Sequence, residues 1–415
     1  MRADLKSQTA AELQAQFRLW GQPAYRVTQL LEWLYVHRAT AWEAMKNLPV
    51  ALRAQLQAQY ALSTLELIRR QGSPDTTQKF LWRLDDQALI ESVLIPANPA
   101  LYGEPSDRLT LCVSTQVGCA YGCAFCASGL AGWKRNLRVE EIVDQVLAVE
   151  RWHVAGGGHS PASTVHSPQS AVNSPESTVN GREPGVGVPE HPSRVMHHAP
   201  ARLVSNLVIM GMGEPLANYD NLLKALRILN APWGGAIGAR KITISTSGLA
   251  PQIRRLADEP LQFRLAISLH GATDATRNRI MPVNRKHPLA ELTAACEYYQ
   301  QSRGRKITFE YILIAGINDG LDQIKPLAAL VRRLNARVNL IPYNVVAGLN
   351  WERPSEPAQE AFLRALEKEK VAATLRREKG HDIDAACGQL RLKTERELAG
   401  MPPSSAAVGE PGLKL

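Results

Sequence analysis

Three cysteines fall within eight residues, Cys119, Cys123 and Cys126, in the stretch GCAYGCAFCASG. Zinc sites usually pair their ligands as two Cys-x2-Cys units, or as one such unit followed by histidines. Here the spacing is Cys-x3-Cys-x2-Cys, and no fourth ligand lies nearby in sequence. A [4Fe-4S] cluster held by three thiolates leaves one iron with an open position, where a substrate or cofactor can bind. The chain has six cysteines among 415 residues, and its N-terminus, MRADLKSQTAAELQAQ, has no secretory apolar core. Metal or redox chemistry is therefore expected rather than a disulfide framework.

A ligand loop needs a scaffold to hold it. Strand candidates LTLCVST (109–115), NLVIM (206–210), KITIST (241–246), FRLAISL (263–269), KITFEYILI (306–314) and VNLIPY (338–343) alternate with helix candidates near 139–152, 220–230, 249–257, 287–303, 320–335 and 355–369. Repeated strand–helix units imply a parallel sheet covered by helices, because a parallel crossover takes a dozen or more residues. Six such units predict an α/β fold, an open or partly closed (β/α)6 barrel over residues 109–392, with the cysteines on the loop after the first strand. KFLWRL (79–84) and ALIESVLIP (88–96) predict a strand-rich extension at 76–108. Residues 1–75 read as a small helical domain, with Val27, Leu30, Leu31 and Leu34 at helical spacing beside Arg26, His37 and Arg38. That module is either a cap on the main domain or a nucleic-acid contact. Residues 393–415 read as a tail.

One segment breaks the rhythm. Residues 160–180 are three seven-residue repeats, SPASTVH, SPQSAVN and SPESTVN, and a proline in each excludes a coiled coil. The expectation is a disordered insertion at about 154–202. It holds five of the ten histidines, whose irregular spacing suits adventitious metal binding at most. A net charge of +9 and a pI near 9.3 favour polyanionic partners. Apolar stretches are too short to span a bilayer, so no membrane contact and a cytoplasmic location are expected.

The cysteine spacing, with Phe125 before the last cysteine, resembles that of radical S-adenosylmethionine enzymes. The motifs LCVSTQVGCAYGCAFCASGLAGWKRNL, MGMGEPLANYDN, STSG, AISLH, NLIPYN and DIDAACGQL together resemble the dual-specificity RNA adenine C2-methyltransferase family, over about residues 20–392. The resemblance implies one [4Fe-4S] cluster on Cys119, Cys123 and Cys126, and two molecules of S-adenosylmethionine per turnover. It places cofactor contacts at Gly213, Glu214, Ser245, Ser268, Leu269, His270 and Asn344, each at or beyond a predicted strand end. Trp133, Lys134 and Arg135 follow the cluster loop, where they could meet cofactor or RNA phosphate.

The same resemblance implies reactive thiols at Cys112 and Cys387 and a proton-accepting carboxylate at Glu91, whereas Cys296 reads as a buried small hydrophobe. C2 of adenine is electron-poor and has no in-plane lone pair, so it cannot displace a methyl group from a sulfonium. In the family mechanism Cys387 first takes a methyl group by polar displacement. A radical generated from a second cofactor molecule then removes hydrogen from that methyl group, and the resulting carbon radical adds to C2. Cys112 assists loss of the C2 proton, for which Glu91 matches the acceptor, and closes a disulfide with Cys387 as the methylated base leaves. The implied partners are 23S ribosomal RNA, transfer RNA and an electron donor such as flavodoxin or ferredoxin, with the chain acting as a monomer. Two other readings stay open: the resistance-type relative that methylates C8 of the ribosomal adenine, disfavoured by the proline of GMGEP, and a non-catalytic iron–sulfur protein that binds RNA or senses redox state.

Overall fold

The computed structural model describes residues 2–72, 77–97, 108–130, 132–157, 202–346, 348–376 and 388–399. Most of the expected insertion, the reactive-cysteine candidate Cys387 and residues 400–415 lie outside the described residues. Among those described, β1 (Glu66–Gln71), β2 (Gln78–Arg83), β3 (Leu89–Pro96) and β4 (Leu109–Cys112) pair antiparallel in sequence order. β1 falls inside the stretch expected to be helical. Its side chains, with Arg69 and Arg70 among them, are largely exposed or half-buried, so it carries little of the apolar alternation that marks a strand. It is an edge strand, where charge blocks further pairing.

After β4 comes a two-stranded hairpin, β5 (Gln116–Gly118) and β6 (Trp133–Asn136). The main sheet then continues through β7 (Asn206–Ile209), β8 (Ile242–Thr246), β9 (Arg264–Ser268), β10 (Thr308–Leu313), β11 (Arg337–Pro342) and a short β12 (Ala373–Leu375). Among the described residues the sheet has ten strands in the order β1-β2-β3-β4-β7-β8-β9-β10-β11-β12, parallel from β4 onward. Helices Val139–Trp152, Tyr219–Asn230, Ala250–Asp258, Leu289–Arg303, Ile324–Arg333 and Glu356–Lys368 are the six crossovers expected from the sequence. Ile242, Ile244, Leu265 and Ile267 are buried, as a parallel strand covered by helices requires. A last helix, Gln389–Leu398, runs through the point where the tail was expected to begin.

The N-terminal helices Ala10–Leu19, Tyr25–Tyr35 and Val50–Gln59 bury Val27, Leu30, Leu31 and Leu34, and the first starts with a capping box between Thr9 and Glu12. Two of the module's cations face inward rather than toward solvent. Lys6 Nζ lies 2.9 Å from Asp144, and Arg38 Nη2 lies 2.8 Å from Glu150, both carboxylates being on helix Val139–Trp152. Burial pushes the Asp144 carboxyl up, but Lys6 and Arg151 outweigh it and hold the group at about 2. The module is thus fastened to the first crossover of the sheet. No helix among the described residues is long and apolar enough to cross a membrane.

Candidate active site

The cysteine loop is tied off by the β5–β6 hairpin. Gly118 has φ +79°, and a Cβ there would lie 1.9 Å from the carbonyl oxygen of Gly132, so only glycine lets the strands close. Cys119 N donates to that same carbonyl at 3.1 Å, and Ala124 N donates to Ile280 O at 3.0 Å. Cys119, Cys123 and Cys126 all line one cavity of about 390 Å³ at the carboxyl ends of the parallel strands. Among the described residues no three His, Cys, Asp or Glu side chains already stand gathered around a metal position. Burial, with the neighbouring Cys126, pushes the Cys119 thiol up to about 12, and burial raises Cys123 as well. A bound cation would reverse that preference by pairing with the thiolates. Three thiols on one loop are a donor set that fits an iron–sulfur cluster.

Six of the seven expected cofactor contacts line the same cavity: Gly213, Glu214, Ser245, Ser268, His270 and Asn344. Leu269 instead buries its side chain in the core and donates its N–H to Glu310 O at 3.0 Å. Gly213 has φ +99°, and a Cβ would meet the Gln116 side chain at 2.5 Å. Glu214 is buried and accepts from Ser247 N at 2.7 Å and Leu216 N at 3.0 Å, so its carboxylate joins the ends of β7 and β8. Ser245 and Ser268 bring their hydroxyls within 3.3 Å of each other. His270 Nδ1 accepts from Ile312 N at 3.0 Å, which leaves the proton on Nε2. Burial and Arg277 push its pKa down to about 3, and the neutral ring stands edge-on to Phe125.

Arg277 is a site residue the sequence reading missed. It is wholly buried, and its guanidinium donates to Ser268 O at 3.1 Å, to Leu269 O, to Ser247 O at 2.9 Å and to Asn284 Oδ1 at 2.9 Å. One side chain therefore clamps the ends of β8 and β9. Its helix, Asp274–Ile280, also pins the cysteine loop through Ile280 O. No sequence signal marked it, because TRNRIMPVNRKH looks like an exposed basic stretch. Arg135 is paired with Asp86 at 2.7 Å and with Glu141 at 2.8 Å, so its guanidinium is already engaged.

The opposite wall is built by β3 and β4. Cys112 is buried at the end of β4, lines the cavity and pairs in register with Val93 of β3 and Val208 of β7. Glu91 shares a face of β3 with Val93 and Ile95, which line the cavity, but its own oxygens are occupied. Oε2 accepts from Gly388 N at 2.8 Å, Oε1 accepts from Arg391 N at 2.7 Å, and Lys79 Nζ lies 3.3 Å away. Glu91 thus caps helix Gln389–Leu398, whose amino end favours a carboxylate. Gly388, at φ +87°, sits so close to Ser128 that a Cβ would lie 2.7 Å from its Oγ. The residue after Cys387 is therefore wedged between β3 and the helix that follows Cys126. Cys296 is fully buried in helix Leu289–Arg303, as expected of a structural thiol.

Residues 175–328 match the radical SAM superfamily, and residues 3–62 match the ribosomal RNA large subunit methyltransferase N-terminal domain. The first match starts downstream of the cysteine loop, so full-length relatives carry more weight. A probable dual-specificity RNA methyltransferase RlmN 3 of Opitutus terrae is 49% identical over 95% of each chain. A probable dual-specificity RNA methyltransferase RlmN of Akkermansia muciniphila is 45% identical over 95% of this chain and 97% of its own. The crystal structure of a radical SAM methyltransferase from Sphaerobacter thermophilus superposes with a TM-score of 0.77 at 39% identity, covering 93% of this chain and 98% of the other. A cluster-type cysteine loop at the mouth of a partial barrel, joined to this N-terminal module and matched over nearly its whole length, places the chain in the RlmN family of dual-specificity radical SAM RNA methyltransferases.

Proposed function

We propose that this chain methylates C2 of adenine in 23S ribosomal RNA and in transfer RNA through an S-methylcysteine at Cys387. The observation that carries the reading is the seating of Gly388 against Ser128 and Glu91, which draws the chain next to Cys387 toward the cavity that Cys112 shares with the three-cysteine loop. A [4Fe-4S] cluster on Cys119, Cys123 and Cys126 would supply the electron that cleaves S-adenosylmethionine and starts hydrogen abstraction.

The remaining steps belong to the protein's own side chains. Gly213, Glu214, Ser245, Ser268, His270, Asn344 and the main chain of Leu269 orient the cofactor. Cys387 attacks one S-adenosylmethionine, forming a sulfur–methyl bond and releasing S-adenosylhomocysteine. After the methyl carbon has joined C2, the adduct radical gives up one electron to the redox partner and Glu91 accepts the C2 proton, for which it must exchange a bond now made to Gly388 or Arg391. Cys112 then forms a disulfide with Cys387, the bond from Cys387 to the carbon breaks with its electron pair going to the carbon, which takes up a proton to become the methyl group, and cellular thiols reduce the disulfide. A donor such as flavodoxin or ferredoxin supplies electrons to a monomeric, cytoplasmic enzyme that uses two S-adenosylmethionine molecules per turnover. The net charge of +9 supports an RNA substrate.

The test is to incubate reconstituted, reduced protein with S-adenosylmethionine and either a 23S ribosomal RNA fragment or transfer RNA, then digest to nucleosides for mass spectrometry. The expected product is 2-methyladenosine. 8-Methyladenosine would assign the resistance-type reaction instead, and absence of 5'-deoxyadenosine would leave a non-catalytic iron–sulfur protein.

A further inference from the structure

Glu310 lies on β10, in register with Ser268 of β9 and Asn339 of β11. Its side chain lines the cavity and is 94% buried, being only 6% exposed. Oε1 accepts from Asn339 Nδ2 at 3.1 Å, while Oε2 is buried with no hydrogen-bond partner among the described residues. A buried carboxylate oxygen left unpaired is destabilising, and native structures seldom keep one without a use. Burial pushes the Glu310 carboxyl up, and the positive charge of Arg376, another residue of the cavity wall, and the Asn339 hydrogen bond only partly offset this. The cavity therefore presents an acceptor that calls for a donor from a ligand.

The order of the strands says which part of the ligand that is. Glu214 follows β7, Ser245 is on β8, Ser268 ends β9, Glu310 is on β10 and Asn344 follows β11. Adjacent strands stand about 4.8 Å apart, so a ligand laid across them meets these residues in turn. If the amino-acid end of S-adenosylmethionine lies by Glu214 and the base lies toward Pro342 and Asn344, the sugar crosses β9 and β10. There it meets the Ser245 and Ser268 hydroxyls on one side and the free oxygen of Glu310 on the other.

We infer that Glu310 Oε2 accepts a hydrogen bond from a sugar hydroxyl of the bound nucleoside cofactor, and that Glu310 is a specificity residue for that sugar. This rests on the reading that the cavity takes S-adenosylmethionine. The ligand to use is S-adenosylhomocysteine, with its 2'-deoxy and 3'-deoxy analogues, titrated calorimetrically into cluster-loaded wild-type, Glu310→Ala and Glu310→Gln protein.

Wild type should bind the parent compound at least tenfold more tightly than one of the deoxy analogues. In Glu310→Ala the parent should weaken by at least tenfold, and the discrimination against that analogue should disappear. Glu310→Gln keeps the volume and supplies the same comparison if the alanine variant folds poorly. Unchanged affinity and unchanged discrimination in both variants would overturn the assignment. So would normal binding of S-adenosylhomocysteine combined with a loss confined to RNA methylation, which would give Glu310 to the RNA base. Failure of wild type to bind the parent at all would remove the cofactor reading itself, and this inference with it.

Discussion

The two walls of the cavity are built differently. On the β7–β11 side, the polar residues are joined to one another over short sequence distances: Glu214 holds Ser247, Arg277 holds Ser247, Ser268 and Leu269, and His270 holds Ile312. On the β3–β4 side, Glu91 reaches across 297 residues to Gly388 and 300 residues to Arg391. The first wall is complete once its strands and crossovers have folded. The second is completed only when the C-terminal helix has docked on Glu91. A site that binds a cofactor in one half and carries covalent chemistry in the other can therefore lose the second activity while keeping the first.

The largest separation should come from the reactive thiols. Cys387→Ala should reduce RNA methylation to background and leave no protein-bound methyl group, while 5'-deoxyadenosine formation persists. Cys112→Ala should accumulate a protein–RNA cross-link, seen as a nuclease-sensitive shift on a denaturing gel, and the double variant should show none. If both single variants behaved alike, the division of labour between the two thiols would be wrong.

Arg277→Met attacks the other wall. It takes the guanidinium from Ser247 O, Ser268 O and Asn284 Oδ1, while Leu269 O keeps Gly271 N as a donor; at about 1–3 kcal/mol for each buried acceptor left unpaired, a loss of about 3 kcal/mol in unfolding free energy is expected, together with loss of cofactor cleavage. A denaturant midpoint equal to that of wild type would show that Arg277 does not clamp β8 and β9.

Gly388→Ala should be milder, about 2 kcal/mol from the left-handed backbone and the close contact with Ser128. Hydrogen exchange should rise in residues 389–398 alone, and methylation should fall more than cofactor cleavage. Equal loss of both activities would mean that the two walls are not separable. The smallest effect is expected from deleting residues 160–198, whose proline-bearing repeats add little to a core and whose removal changes loop-closure entropy only slightly. Both activities and the melting temperature should stay near wild type, and a failure to fold would contradict this.

Much of the first wall could be read from the amino-acid order alone. Cys119, Cys123 and Cys126 are close in sequence, and Ser245, Ser268 and Asn344 stand at or just past the ends of apolar runs long enough to show their period. The six crossover helices were predicted to within a few residues, because each has an apolar face that repeats every turn. β1 and β12 were not, since an exposed edge strand and a three-residue strand carry too little pattern.

Arg277 and Glu310 were beyond reach for a different reason. A charged residue in sequence is most often solvated, and only packing tells which one is buried with carbonyls around it or with an oxygen left free. The same holds for Glu91, whose partners Lys79, Gly388 and Arg391 become neighbours only when the sheet and the last helix meet. Local spacing determined which residues could hold a cluster and where the strands would end. The tertiary structure decided which charges are buried and which distant segment closes the site, because burial and hydrogen bonding across 300 residues are properties of the assembled chain.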